Sequence, residues 1–331
     1  MADRPLLSII VTSYTMERFN DVCGLIDSIK AQTYPDIEVV FVVERVPELG
    51  QKAAAYAREK GLTRFTVLFH DGEPGLSVSR NAGIDKAQGD IVAFVDDDVV
   101  LFPDWASEMV KTYNDDSVIG VTGVALPLWL DKPLTWFPEE FYWVISCSGW
   151  YIPEKIVEVR NAWGYSMSFR KEAFAFCRFE DSFGRTKGFN TGGKKGPVGD
   201  DAEFCINLKA KSGKVIVYNP AVKVYHKVYS YRLTPGFIRN QAYWQGYTKA
   251  MFKKLYNNGT NKKKILDTEN QLLRRIFFKL FPNIAAEFFR HFTTAWKRLR
   301  LSVSVLFYLA VGYFSAAWPV FGKLTKKMYS T

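Results

Sequence analysis

Cysteine is scarce and scattered. The 331 residues hold four, Cys23, Cys147, Cys177 and Cys205, and no two form a CxxC pair. That spacing offers neither a zinc site nor an evident disulfide framework. Isolated in apolar surroundings, such cysteines read as small core residues, and the body is expected in a reducing, cytosolic setting. No signal peptide is expected, because Asp3 and Arg4 precede Leu6–Val11, an apolar run too short for one. Internal repeats are missing, and no glycine-rich cationic loop follows that first run to cradle a triphosphate. Acid is scarce near the C-terminus: from Tyr231 onward, 18 Lys and Arg face 3 Asp and Glu. The remainder is mildly acidic, so the basic tail points to an anionic surface, either nucleic acid or lipid headgroups.

What the chain does have is a rhythm. Leu7–Thr12, Ile37–Val43, Phe65–Phe69 and Ile91–Val95 are short Val/Ile/Phe runs that predict buried strands. Between them, Arg18–Ala31, Gln51–Lys60 and Ser77–Ala87 carry helical spacing. This alternation predicts a mostly parallel sheet covered by helices, with ligands bound beyond the carboxyl ends of the strands. The fourth run ends in three carboxylates, Asp96, Asp97 and Asp98. Side-chain alternation sends Asp96 and Asp98 one way and Asp97 the other. Acids so close repel unless a cation joins them, and hard oxygens suit Mg²⁺ or Mn²⁺. Strand-end acids solvated in a turn are the bland alternative.

Further along, Leu126–Tyr151 gathers Trp129, Trp136, Phe137, Trp143 and Trp150, to be read as the wall of an acceptor channel or as core. Lys187–Gly199 is glycine-rich and cationic, which predicts a loop. Asp200–Ala210 predicts a helix, and Lys214–Tyr218 and Val222–His226 predict two strands. Ile284, Phe288, Phe292 and Trp296 recur every four residues after Pro282, which predicts an amphipathic helix over 284–298. Leu301–Gly322 carries no charge. Its length suits a membrane span, a helix in the interface or a buried bundle. That uncharged run favours lipid over nucleic acid as the tail's partner.

Three segments in order, SIIVTSYT at 8–15, LSVSRNAGIDKAQGDIVAFVDDD at 76–98 and GDDAEFCINLKAKSGKVIVYNPAVKVYH at 199–226, resemble glycosyltransferase family 2. These are inverting enzymes that use nucleotide sugars. The resemblance implies the GT-A fold, an α/β Rossmann-like sheet, over residues 1–230. Residues 231–331 would then form a helical region that attaches to membrane. It places the nucleotide at Thr12, Ser13, Tyr14, Glu44, Arg80, Asn81, Asp96 and Asp97, and the metal, Mg²⁺ or Mn²⁺, at Asp98 and His226. Thr15 and Glu44 stand where the family usually has Asn and Asp; Glu44 can still accept a hydrogen bond from a uracil N–H. Asp201, paired with Asp200, is implied as the general base, although such acids also cap helices and Glu203 would complete a capping box. Trp163 and Gly164 fall in the segment that lines the acceptor pocket. The expected reaction moves a sugar from a UDP donor to a polyprenyl- or dolichyl-phosphate-linked acceptor at the cytoplasmic face of the cell membrane.

Overall fold

The computed structural model describes residues 4–180, 198–256 and 266–318. The basic cluster Lys323, Lys326 and Lys327, the end of the uncharged run, and all but the last two residues of the Lys187–Gly199 loop lie outside them. The chain divides into two compact units. One comprises Met1–Leu128 and Ile152–Lys227; the other joins Trp129–Tyr151 to everything from Val228 onward. The sequence alone implies a single boundary at 230, because nothing local ties the aromatic segment to helices that begin 84 residues after its end.

In the first unit the strands are β1 (Leu7–Ser13), β2 (Ile37–Glu44), β3 (Phe65–His70), β4 (Ile91–Asp96) and β5 (Val99–Leu101). They continue with β6 (Val118–Trp129), β7 (Val157–Val159), β8 (Ser166–Arg170) and β9 (Val215–Val228). They form one sheet in the order β3-β2-β1-β4-β8-β6-β9-β5, with β7 also on β9. β3, β2, β1 and β4 are parallel, as the alternation requires, and β8 reverses direction against β4. The helices are α1 (Phe19–Lys30), α2 (Pro47–Glu59), α3 (Leu76–Lys86), α4 (Trp105–Thr112), α5 (Ala173–Phe176) and α6 (Asp200–Ser212).

Both faces of the central strands are covered, which is why they read as unbroken apolar runs rather than alternating ones. Leu7, Ile9 and Val11 of β1 pack with Leu25 and Ile29 of α1, Ala53 of α2 and Trp105 of α4. Ile10, on the opposite face, packs with Ile84 of α3 and with Phe204 and Leu208 of α6. The two strands expected at 214–226 are one. β7 pairs with Ile216–Tyr218 and β5 with Val224–His226, so Pro220, which has no N–H to give, falls between these ladders. Asn219 Oδ1 accepts from the Ala221 N–H at 2.9 Å and carries the strand past the proline.

The second unit holds α7 (Pro235–Leu255), α8 (Asp267–Arg275), α9 (Phe281–Glu287) and α10 (Phe292–Ala317). Phe137 and Phe141 of the aromatic segment are buried with Ile238, Leu280, Ile284 and Val305, while Trp129, Trp136 and Trp143 pack against this core. Arg275 pairs with Glu139 and Glu140, and Arg298 donates to Glu287 and to the Trp136 carbonyl. Core packing therefore accounts for these rings. α7 and α10 cross at Gly246 and Gly312, where an added Cβ would lie 1.9 Å from the Leu309 and Tyr243 carbonyl oxygens.

The amphipathic helix predicted over 284–298 is broken in two. Residues 288–291 turn between α9 and α10, with His291 at an extended φ of −141°, and the second half merges into the uncharged run. Nor does Pro282 begin the helical run. A π-turn at Ile276–Leu280 links α8 to α9, its wider turn making room for a ring that would otherwise meet the carbonyl four residues earlier.

Candidate active site

The site lies at the carboxyl ends of β1 and β4. Parallel pairing sets Thr12 opposite Asp96, the last residue of β4. Asp98 then leads into β5, whose antiparallel partner β9 brings His226 opposite Val99. Candidate ligand atoms of Asp96, Asp98 and His226 all fall within 4.8 Å of one another. His226 Nε2 is 3.4 Å from Asp98 Oδ1 and 3.9 Å from Asp96 Oδ2. Asp98 and His226 are buried, and neither ring nitrogen of His226 has a hydrogen-bond partner among the described residues. An imidazole buried with both nitrogens unsatisfied is costly, and a cation held with the two carboxylates would remove that cost. The donor set therefore fits a divalent ion.

Asp97 turns the other way, as the alternation predicts, and accepts from Ser13 Oγ at 2.6 Å. Burial, and then the charge of Asp98, pushes its carboxyl up to about 7. Tyr14 stands exposed beyond the end of β1. Glu44 ends β2, where its Oε2 accepts from the Gly75 N–H at 3.3 Å, just before α3.

A second acid pair opens α6. Gly199, at φ +104°, takes the N-cap position and has no side chain with which to cap the helix. Neither Asp200 nor Asp201 is the N-cap residue, although Asp201 takes up one first-turn N–H. Glu203 accepts from Asn207 one turn on rather than closing a capping box. Asp201 Oδ2 accepts from the Gly164 N–H at 3.1 Å and Oδ1 from the Ala202 N–H at 2.7 Å. Burial, then the neighbouring Asp200 charge, pushes Asp201 up to about 6, while Arg80 and the two N–H groups pull the other way. Asp200 accepts from Arg80 Nη1 at 2.5 Å.

The family model for glycosyl transferase family 2 matches residues 8–181, more than half of the chain. The chain belongs to glycosyl transferase family 2. A glucosyl-dolichyl phosphate glucuronosyltransferase of Haloferax volcanii is 33% identical over 261 residues, covering 78% of this chain and 80% of the relative. In fold, the chain is similar to a mannosyltransferase from Pyrobaculum calidifontis solved with GDP-Man and Mn²⁺. The TM-score is 0.63 at 17% identity, over 96% of this chain and 88% of that one. Residues 1–349 of TarS from S. aureus give 0.52 at 16% identity, over 95% and 81%. The protein is a glycosyltransferase with the GT-A architecture expected from its strands and motifs.

Within this glycosyltransferase, several assigned side chains have other work. Asn81 was expected at the nucleotide, yet its amide is committed to the backbone of Phe179, donating to its carbonyl at 2.9 Å and accepting from its N–H at 3.1 Å. Arg80, also expected there, turns to Asp200. Trp163 is half-buried, stacked parallel to Tyr165 at a centroid separation of 6.4 Å and edge-on to Tyr218. Gly164 holds Asp201 through its N–H and lies so close to Arg80 that a Cβ would sit 2.8 Å from Nη2.

Sequence reasoning missed a set of charges behind Asp98. Arg18 Nη1 donates to Asp98 Oδ2 at 3.0 Å, and Lys227 reaches Asp21 at 2.7 Å, with Arg18 and Asp21 3.5 Å apart. The signal was faint: an Arg and an Asp three residues apart where the first helix begins, and a Lys beside His226.

Proposed function

We propose that this glycosyltransferase is an inverting, divalent-metal-dependent enzyme that moves a sugar from a UDP donor to a hydroxyl on a polyprenyl- or dolichyl-phosphate-linked acceptor. The observation that carries the reading is the pairing of two acid groups at one edge of the sheet. Asp96, Asp98 and unsatisfied His226 form one; Asp200 and Asp201 form the other.

Asp98 and His226, with Asp96 beside them, would hold Mg²⁺ or Mn²⁺. When bound, the cation supplies neutralisation of the charge that develops on the departing diphosphate. Thr12, Ser13, Tyr14 and Glu44 line the strand ends where the nucleotide would lie. Asp97 buttresses Ser13, and Asn81 fixes Phe179 beneath Arg80. Asp201 accepts the acceptor's hydroxyl proton as that oxygen bonds to the anomeric carbon. The bond from this carbon to the diphosphate oxygen breaks, and its electron pair leaves with the diphosphate. One displacement inverts the anomeric centre. Trp163 offers a ring edge for the acceptor sugar.

The lipid-linked acceptor is supported by the name of the Haloferax relative and by the second unit. There Phe278 is 82% and Phe289 96% exposed, beside Lys279 and Arg290. α10 is long and apolar enough to cross a membrane. Exposed rings next to cations suit a headgroup layer, so the enzyme would work at a membrane surface.

The test supplies purified enzyme with labelled UDP-sugars and Mn²⁺, and offers an organic extract of host lipids or soluble oligosaccharides. UDP release with label in a chloroform-soluble, mild-acid-labile product is expected. Label passing only into soluble glycan would replace the lipid acceptor with a polysaccharide. Absence of UDP release from every UDP-sugar would reject the donor assignment.

A further inference from the structure

Arg80 is buried, and its cation lies over two adjoining aromatic rings that pack edge to face, 6.0 Å from the Phe94 centroid and 5.4 Å from that of Phe179. Phe179 is fixed in turn by both groups of the Asn81 amide. The guanidinium has two acidic neighbours: Nη1 donates to Asp200 at 2.5 Å, and Nη2 lies 4.0 Å from Asp96. A Cβ at position 164 would meet Nη2 at 2.8 Å, so a larger residue there would push the guanidinium aside. A charge so enclosed is held by geometry, because the planar guanidinium has lost the freedom to swing towards another partner.

Resting on the base assignment above, we propose that Arg80 is a positioning residue for the acid pair rather than a nucleotide contact: it pins the Asp200 carboxylate and offsets its charge beside Asp201. Two adjacent carboxylates at a helix start repel, and with Asp200 uncompensated Asp201 would keep its proton at neutral pH. Among the described residues, the charged groups acting on Asp201 are Asp200 and Arg80, the Gly164 and Ala202 N–H groups are the dipoles, and the buried Cys205 thiol, pushed up by burial, lies one turn on. Arg80 thereby joins the metal-side acids to the proton-accepting acids through a single side chain.

The test reads the proton on Asp201 in the full-length protein without substrate. Thermal unfolding is followed across pH for the wild type and Asp201→Asn; the pH at which their difference levels off marks the titration midpoint of the folded carboxyl, near 6. Arg80→Met should move that midpoint up, by up to about one pH unit, since it removes a cation that holds the Asp201 carboxyl down. Arg80→Lys should restore much of it, and Asp200→Asn should move it down. A midpoint in Arg80→Met that stays at the wild-type value overturns the proposal, as does a shift in the same direction for Arg80→Met and Asp200→Asn. Should Arg80→Met not fold, Gly164→Ala displaces the guanidinium while keeping the N–H bond to Asp201, and must shift the midpoint upward; no shift there also overturns the proposal. UDP release in the presence of Mn²⁺ and host lipid extract is measured alongside. Stability that titrates through Asp201 while the rate does not supports the hold on the pair and tells against Asp201 as the base.

Discussion

Replacing Asp201 by Asn should lower the rate and raise the stability at once. The proton affinity of this carboxyl is increased by folding, from 3.8 to about 6. The native state therefore binds more protons than the unfolded chain between these values, and stability falls as pH rises through them. Two pH units correspond to at most about 3 kcal/mol at neutral pH. Asn keeps one acceptor oxygen where Asp has two, so either the Gly164 or the Ala202 N–H loses its bond, a loss of about 1 kcal/mol. The net expectation is a gain of about 1–2 kcal/mol at pH 7, a rise of a few degrees in unfolding temperature. At pH 5 the aspartic acid is already largely neutral, so the gain should shrink or reverse. Catalysis runs the other way, with UDP release falling about 10²–10⁴-fold. The wild-type rate should itself drop about tenfold from pH 7 to pH 5 as the base protonates. Near-normal turnover in the variant, or a stability change of the same sign and size at both pH values, would refute the reasoning.

Further outcomes follow from the same geometry. Asp98→Asn or His226→Phe should abolish the Mn²⁺ dependence of UDP binding in calorimetry. His226→Phe should cost little stability without metal, because it removes two unsatisfied nitrogens from a buried position; equal UDP affinity with Mn²⁺ and with chelator in the wild type would remove the metal assignment. Gly312→Ala forces a Cβ into the Tyr243 carbonyl and should destabilise the second unit by about 1–3 kcal/mol, read by proteolysis of α7 and α10. Phe278→Asp with Phe289→Asp should release the protein from anionic vesicles without altering UDP binding, as monitored by co-sedimentation; retention of the double variant would show that another surface binds lipid.

The parallel half of the sheet was legible because its strands are buried on both faces and their sequences have no polar side to hide. That Asp96 and Asp98 share one side was legible because side chains alternate along an extended chain, whereas His226 joins them only through the β5–β9 pairing. Roles that depend on a distant partner were not. Arg80 and Asn81 stand side by side in the middle of α3, and the same letters would serve a nucleotide equally well. Only the fold brings Asp200, 120 positions away, to one and the Phe179 backbone to the other. Trp129–Tyr151 joins the C-terminal helices for the same reason, through Arg275 and Arg298. The breaks at Pro220 and Pro282 failed as simple signals because neighbouring geometry, a gap between ladders and a π-turn, accommodates each ring.

The reversal at β8 explains why two acid groups so far apart in sequence share one edge. Had β8 run parallel to β4, its start would lie at the far end of the sheet, with the Trp163–Gly164 turn remote from Asp96. Running antiparallel, it sets Ser166 opposite Val95 and Arg170 opposite Ile91, so the turn just before β8 arrives beside the carboxyl end of β4. That turn supplies the N–H which holds Asp201 and the vacant Cβ position which admits Arg80. β9 repeats the device against β5, delivering His226 beside Asp98. The parallel strands thus present the end at which a nucleotide would bind, and the two antiparallel crossings bring to it the groups that would hold a cation and receive a proton. A mutation that shifts the β4–β8 register should therefore harm base chemistry before it harms nucleotide binding.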